Sequence, residues 1–109
     1  MNIKIKRQEE KTTVFLSGNI DIPSAEVLKK KLFKVSEDGA KEIVLDFEEV
    51  VSVGSSGIGA IIYFYKQFAT TGGKAAIINV NKEIASLFNI IKLDLLMEIT
   101  PRDEPGYKK

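Results

Sequence analysis

The segment from Val50 to Gly59 holds the residues whose types and spacing could do chemistry. It places two neighbouring hydroxyls, those of Ser55 and Ser56, among three glycines. Glycines let a chain turn sharply and leave its amides open to approach. A helix that begins at these serines would present unpaired N–H groups and the positive end of its dipole, both of which favour an anionic group. A phosphate carried by a serine is such a group.

The residues alone leave three interpretations of this segment open. Ser55 could be only a helix N-cap, with the glycines only forming the turn. The glycines could cradle a dinucleotide, but Gly54, Gly57 and Gly59 give the spacing G-x-x-G-x-G. The dinucleotide motif is G-x-G-x-x-G, and the strand ending at Val80 lacks the acidic residue that would bind a ribose. In the third interpretation, a serine at the helix start is a reversible phosphoacceptor.

Composition excludes several classes of site. The 109 residues include no cysteine and no histidine, which excludes disulfides, thiolate metal sites and catalytic triads that use imidazole. A net charge of +1 argues against bulk electrostatic capture of nucleic acid or an anionic membrane. No apolar run reaches the roughly 18 residues of a membrane span, and the start lacks the apolar core of a signal peptide. We therefore expect a cytoplasmic protein.

Apolar periodicity predicts the elements that must position the serine segment. The order is β-β-α-β-α-β-α-β, an α/β domain over residues 1–100 with a mixed sheet of four to five strands packed against three helices. Residues 101–109 are predicted to be a flexible tail. The predicted strands are 3–6, 12–17, 42–47, 74–80 and 95–100, and the predicted helices run from Pro23 to about Asp38, from Ser55 or Ser56 to near Thr71, and onward from Asn81.

The helix after the serines has two sides on a helical wheel. Its core side is predicted to hold Ile58, Ile61, Ile62, Tyr65, Phe68 and Ala69, with Phe64 on the border. Gly59, Ala60 and Tyr63 are predicted to point away and to form a shallow partner-binding surface next to Ser55, since small residues allow close approach and an exposed tyrosine is a common anchor. Tyr63 could equally be a lone surface aromatic.

Five segments, taken in order, match the pattern of one family. They are Gly18-Asn19-Ile20-Asp21, Ile43-Val44-Leu45-Asp46-Phe47, Ser55-Ser56-Gly57-Ile58-Gly59, Gly72-Gly73-Lys74, and Leu87-Phe88 with Leu93-Asp94. Through them the chain resembles the STAS domain family, specifically the bacterial anti-sigma factor antagonists. The resemblance covers nearly the whole length. It implies a STAS-like fold and a protein-interaction switch rather than an enzyme, without catalytic residues, metal or cofactor.

The resemblance also implies roles for individual residues. In the family, the first serine of the turn is phosphorylated by a partner that is both an anti-sigma factor and a serine kinase of the histidine-kinase-like ATPase fold. The unphosphorylated antagonist binds this partner, and a serine phosphatase restores binding after phosphorylation. The match carries the phosphoacceptor role to Ser55. The residues expected around it are Asp21, Asp46, Gly54, Ser56 and Gly57.

Two of these acidic residues also have simpler interpretations. Asp21 could serve only as a turn or helix-start residue. Asp46 could be a strand-end residue that bonds local backbone amides.

Two features depart from the family pattern. Family members usually have an aspartate directly before the acceptor serine, where this chain has Gly54. A missing carboxylate lowers repulsion with a phosphate but also removes a group that a kinase could use for positioning. An alternative function therefore stays open: a scaffold or regulatory subunit of a signalling complex that binds without phosphorylation. Many members also end in another helix, which Pro101 to Lys109 cannot easily form.

Overall fold

Residues 1–102 are described by the structure, a computed structural model. The element order is the one that the sequence predicts, with one short 3-10 helix, Leu93–Leu95, added before the last strand. The elements are β1 (Asn2–Gln8), β2 (Lys11–Ile20), α1 (Ile22–Glu37), β3 (Glu42–Val53), α2 (Ser55–Thr70), β4 (Lys74–Val80), α3 (Lys82–Ile90) and β5 (Glu98–Pro101).

The five strands form one mixed sheet in the order β1-β2-β3-β4-β5. The first pair, β1 and β2, is antiparallel, and the other three pairs are parallel. A helix connects each parallel pair, and the sheet grows in one direction. Because such crossovers are right-handed, all three helices lie on one face of the sheet. The predicted α/β fold with a mixed sheet and three helices is confirmed.

A single apolar core lies between the sheet and the helices. Alternate residues of the strands face it, among them Leu16 of β2 and Phe47 of β3. The ring of Phe47 packs against that of Phe88 on α3, with centroids 6.0 Å apart. On α2, the ring of Phe64 lies 5.2 Å from that of Phe33 on α1, which joins the two helices.

Side-chain caps set the starts of two helices. The carboxylate of Asp21 accepts a hydrogen bond from the backbone N–H of Ser24 and caps α1. The amide oxygen of Asn81 accepts from the N–H of Ile84 at 2.8 Å and caps α3. Each cap satisfies an N–H that has no partner within its own helix.

Four predicted boundaries are wrong. β2 continues through Ile20, and β3 continues from Phe47 through Val53, where the sequence predicts connections. Leu95 lies in the 3-10 helix rather than in the last strand. Pro101 belongs to β5 and is paired with Val80, so the predicted tail does not begin there. The rest of that tail, residues 103–109, lies outside the described residues.

Candidate functional site

The start of α2 is fastened to the end of β2. The parallel strands β2 and β3 end at the same level, with Ile20 opposite Val53. The next residue, Gly54, donates its backbone N–H to the carbonyl oxygen of Ile20 at 2.9 Å. Since α1 begins directly after this point of β2, the starts of α1 and α2 lie side by side.

Ser55 is the first residue of α2 and is exposed to solvent. Its neighbour Ser56 is half-buried, and Gly57 is buried. The N-cap Gly54 offers no side-chain hydrogen bond, and the first turn holds no acidic residue. The N–H groups of this turn therefore keep their capacity to bind an anion, and the helix dipole favours one there.

Asp21 is exposed and lies next to the start of α2, because it follows Ile20, which is hydrogen-bonded to Gly54. It is the N-cap of α1, so the helix-start interpretation describes its local contacts. Hydrogen bonds from the side chain and then the backbone of Ser24 lower the pKa of the Asp21 carboxyl. Asp21 is thus an anion at neutral pH and contributes negative charge beside the start of α2.

Asp46 lies neither near the start of α2 nor at the end of a strand. Because β3 continues to Val53, residues 47–53 separate Asp46 from Gly54. One oxygen of Asp46, Oδ1, accepts hydrogen bonds from the backbone N–H of Glu48 at 2.9 Å and from the side-chain amide of Asn79 at 3.2 Å. The bond from the Glu48 N–H agrees with the simpler interpretation, in which Asp46 bonds local backbone amides. The expectation that Asp46 lies near Ser55 is wrong.

A groove runs between the first turns of α1 and α2, with a volume of about 450 Å³. Gly59 and Tyr63 line it and are exposed, as the helical wheel predicts. Ala60 lines it as well but is only 8% exposed, so the prediction that it points to solvent is wrong. Phe64, predicted to lie on the border, is buried, and Ala69, predicted to lie on the core side, is exposed. Ala60 is buried because α1 packs against this side of α2, so that Ala60 lies at the floor of the groove.

Tyr63 is held by contacts from α1. Its ring meets that of Phe33 edge-on, with centroids 6.0 Å apart. The ammonium of Lys29 lies 5.4 Å from the Tyr63 centroid and also pairs with Glu26 at 3.3 Å. A cation over the ring and a perpendicular ring beside it both favour one orientation of the tyrosine. In this orientation Tyr63 forms one wall of the groove.

Sequence reasoning missed the α1 side of the groove. Ile22 lines it and is 71% exposed, and Glu26 and Lys29 stand along the same helix. The sequence did offer one indication, because the first residue of α1, Ile22, is apolar but does not belong to the buried side of the helix. That side consists of Ala25, Leu28, Leu32 and Val35. This indication does not reveal that α2 lines the same groove, because the packing of the two helices depends on the tertiary structure.

Two kinds of site are absent from residues 1–102. No group of three or more histidine, cysteine, aspartate or glutamate side chains is arranged to hold a metal ion there. Over the same residues, no helix has the length and apolar character required to cross a membrane.

Comparison with known families and proteins matches this architecture. The sequence model of the STAS domain family matches residues 2–104, which confirms the resemblance drawn from the five segments. The anti-sigma-B factor antagonist of Bacillus subtilis strain 168 is 29% identical over 106 residues, which is 97% of this chain and 96% of that protein.

Two solved structures share the fold. The crystal structure of an anti-sigma factor antagonist from Mycobacterium paratuberculosis superposes with a TM-score of 0.82 at 20% identity, covering 92% of this chain and 85% of the other. The phosphorylated form of the Bacillus cell fate determinant SpoIIAA gives a TM-score of 0.73 at 18% identity, covering 90% of each chain. At these identities the likeness concerns the fold.

Proposed function

This chain belongs to the STAS domain family, and we propose that it acts as an anti-sigma factor antagonist. In this proposal it works in the cytoplasm by binding rather than by catalysis. Its partner is an anti-sigma factor that is also a serine kinase of the histidine-kinase-like ATPase fold. Phosphorylation of Ser55 weakens the complex, and a serine phosphatase restores it. The observation that carries the proposal is the exposed hydroxyl of Ser55 at the first position of α2.

The start of α2 suits a reversible phosphate. A phosphate on Ser55 adds about two negative charges at neutral pH. The unpaired N–H groups of the first turn and the helix dipole favour that charge. Residues 55–70 keep their helical hydrogen bonds when it is added, since the group stands outside the core. We therefore expect modification to change the surface while the fold stays the same.

The groove next to Ser55 supplies a docking surface for the partner. Ser56 is one of its lining residues, so Ser55 lies at its edge. Its walls are the exposed side chains of Ile22 and Tyr63, and its floor includes Ala60. An apolar side chain of the partner would fill this space. Tyrosine is enriched among the few residues that contribute most of the binding energy at a protein interface.

The position of the charge explains why phosphorylation would release the partner. A partner seated in the groove covers the start of α2 and would bury the phosphate. Burial of a charge without a cationic counterpart costs several kcal/mol, which lowers affinity by orders of magnitude. The alternative is a scaffold that binds without phosphorylation, and Gly54 favours it because the kinase would find no carboxylate before the serine.

Binding and labelling experiments test the proposal. The full chain is incubated with each histidine-kinase-like anti-sigma factor of the same genome, with and without ATP. We expect label on the wild type and on S56A but not on S55A, and loss of binding in S55D. The control S86D adds the same charge at an exposed position of α3 and should bind like the wild type. Melting points of S55D and the wild type should agree within a few degrees.

Two outcomes would decide against the switch. Tight binding without label on Ser55 would support the phosphorylation-independent scaffold. Unchanged affinity of S55D would show that charge at this position does not control the partner.

A further inference from the structure

The helix-free face of the sheet carries a second cavity, on the side opposite the α1–α2 groove. Its volume is about 540 Å³, within the range of small-molecule sites. One cross-strand row supplies Lys4 from β1, Phe15 from β2 and Asp46 from β3. Phe15 alternates with the buried Val14 and Leu16, so its ring faces away from the helices and is 40% exposed.

The carboxylate of Asp46 is built into this cavity. Asp46 is only 9% exposed. Both of its hydrogen bonds, from Glu48 and Asn79, reach Oδ1, and within residues 1–102 no hydrogen bond reaches Oδ2. None of the four ion pairs formed within those residues involves Asp46. Oδ2 is not among the buried atoms that lack a partner, so this oxygen is open to the cavity and keeps its capacity to accept a hydrogen bond.

Backbone irregularities on β3 itself and on the neighbouring β4 bring polar groups to the same place. A bulge in the β2–β3 pairing shifts the register after Phe15 and Asp46. It brings two consecutive residues, Glu48 and Glu49, to the lining of one cavity, which a regular strand would not do. On β4, Asn79 has a φ of 59°, and from this left-handed conformation its amide donates to Asp46. Asparagine tolerates this region better than most residues.

Acidic groups outnumber basic ones around the cavity. The carboxylates are those of Asp46, Glu48 and Glu49, and the lining lysine is Lys4. The guanidinium of Arg102 lies next to the cavity and is engaged by Glu48, bonding its carbonyl oxygen and lying 3.4 Å from its carboxylate. Since Arg102 is already paired with Glu48, the excess negative charge is concentrated at Asp46 and Glu49.

We propose that this cavity binds a small organic cation, an ammonium or guanidinium compound with a flat apolar part. The cation would meet Oδ2 of Asp46 and form the charge-assisted hydrogen bond that the protein leaves unmade. The apolar part would stack on the exposed ring of Phe15, which also attracts the cation through its π face. An anionic ligand such as a nucleotide would meet repulsion from Asp46 and Glu49. The site goes beyond the proposed antagonist function and does not require Ser55.

An NMR titration of the full chain at neutral pH tests this site. The probes are phenethylamine, which has a ring and an ammonium group, and phenylacetate, which has a similar ring and the opposite charge. We expect phenethylamine to shift the amides of Phe15, Glu48 and Asn79 with a saturable, millimolar Kd, and phenylacetate to leave them in place. D46N keeps the shape of the side chain and should raise the Kd for phenethylamine roughly tenfold.

Two further variants keep the test decisive. E49Q leaves the hydrogen bonds of Asp46 intact and should weaken binding even if D46N fails to fold. E26Q, which removes a carboxylate from the α1–α2 groove, is the control and should bind phenethylamine like the wild type. The proposal is overturned if phenylacetate binds equally well, if the shifts centre on the α1–α2 groove, or if neither D46N nor E49Q changes the Kd.

Discussion

Gly57 packs directly against the side chain of Ile20. A Cβ added at position 57 would lie 2.6 Å from Cγ2 of Ile20 and 2.9 Å from Cγ2 of Val53. The first turn of α2 therefore lies on the ends of β2 and β3 with no room for a methyl group. Together with the hydrogen bond from Gly54 to Ile20, this contact fixes Ser55 relative to the start of α1.

Substitution of Gly57 by alanine should destabilise the protein. Alanine is the better helix former, but its methyl group must displace the side chains of the buried Ile20 and the half-buried Val53, and overpacking of a core typically costs about 1–3 kcal/mol. We expect G57A to lower the midpoint of urea denaturation and the melting temperature. Because the first turn must move, G57A should also weaken binding of the proposed partner.

Gly59 provides the matched control on the same helix. A Cβ at position 59 would have no heavy atom within 4 Å, so G59A gains helix propensity without a clash. We expect it to raise the free energy of unfolding by about 0.5–1 kcal/mol. If G57A and G59A changed the free energy of unfolding in the same direction, the close contact between Gly57 and Ile20 would not determine the packing of the first turn of α2.

Local chemistry made much of this architecture predictable from sequence. The bounds of β4 follow from an apolar run that ends at Asn81, and the caps at Asp21 and Asn81 depend only on residues within one turn of each. The start of α2 at Ser55 is predicted correctly, but the N-cap is Gly54, so the interpretation of Ser55 as the N-cap is wrong. Each of these features is decided by neighbours in the chain.

Features decided by distant neighbours were not predictable. The second half of β3 escapes detection because its bulged pairing with β2 leaves Glu48 and Glu49 both exposed and breaks the alternation of a strand. The burial of Ala60 depends on α1, which no property of α2 reveals. The resemblance placed Asp46 beside Ser55, and the sequence did not correct this because the predicted strand ends at Phe47 instead of Val53.

Asp38 gives the stability of the fold a pH dependence that can be separated from other effects. Its carboxylate bonds the Arg7 guanidinium at 2.8 Å and lies 3.3 Å from the Lys34 ammonium. The bond with Arg7 is the main reason that the pKa of Asp38 lies below its usual value of 3.8. A carboxyl with a lowered pKa in the folded state stabilises that state above its unfolded pKa and loses this contribution as pH falls through its folded pKa.

D38N should therefore melt slightly below the wild type at pH 7, by the small amount usual for exposed ion pairs. This difference should persist down to pH 3.8 and disappear as the pH is lowered further. Thermal denaturation of both proteins from pH 7 to pH 2 measures it. E37Q, at the neighbouring exposed residue, is the control and should lack this dependence. A gap between wild type and D38N that stays constant into strong acid would contradict the role of the Asp38 carboxylate.

Gly54 is a place where the protein can accept the aspartate that the family usually carries. Its φ of −88° and ψ of 174° are extended values open to any residue, and its helix has no side-chain cap. A Cβ there would lie 3.6 Å from the carbonyl oxygen of Ile20, an ordinary contact. The aspartate of G54D should accept an N–H of the first turn and raise the free energy of unfolding by about 0.3–1 kcal/mol.

The charge of that aspartate should then oppose a second charge on Ser55. In G54D, the change S55D places two carboxylates at one helix start, and their repulsion should remove most of the benefit that either gains from the dipole. G54N caps the helix without charge, so S55D should be as well tolerated in G54N as in the wild type. Urea denaturation of G54D and G54N, each with and without S55D, measures the coupling, which should be unfavourable in the G54D background and absent in the G54N background. Equal coupling in both backgrounds would mean that a carboxylate at position 54 does not repel a negative charge at position 55, and that glycine at position 54 therefore makes no electrostatic difference.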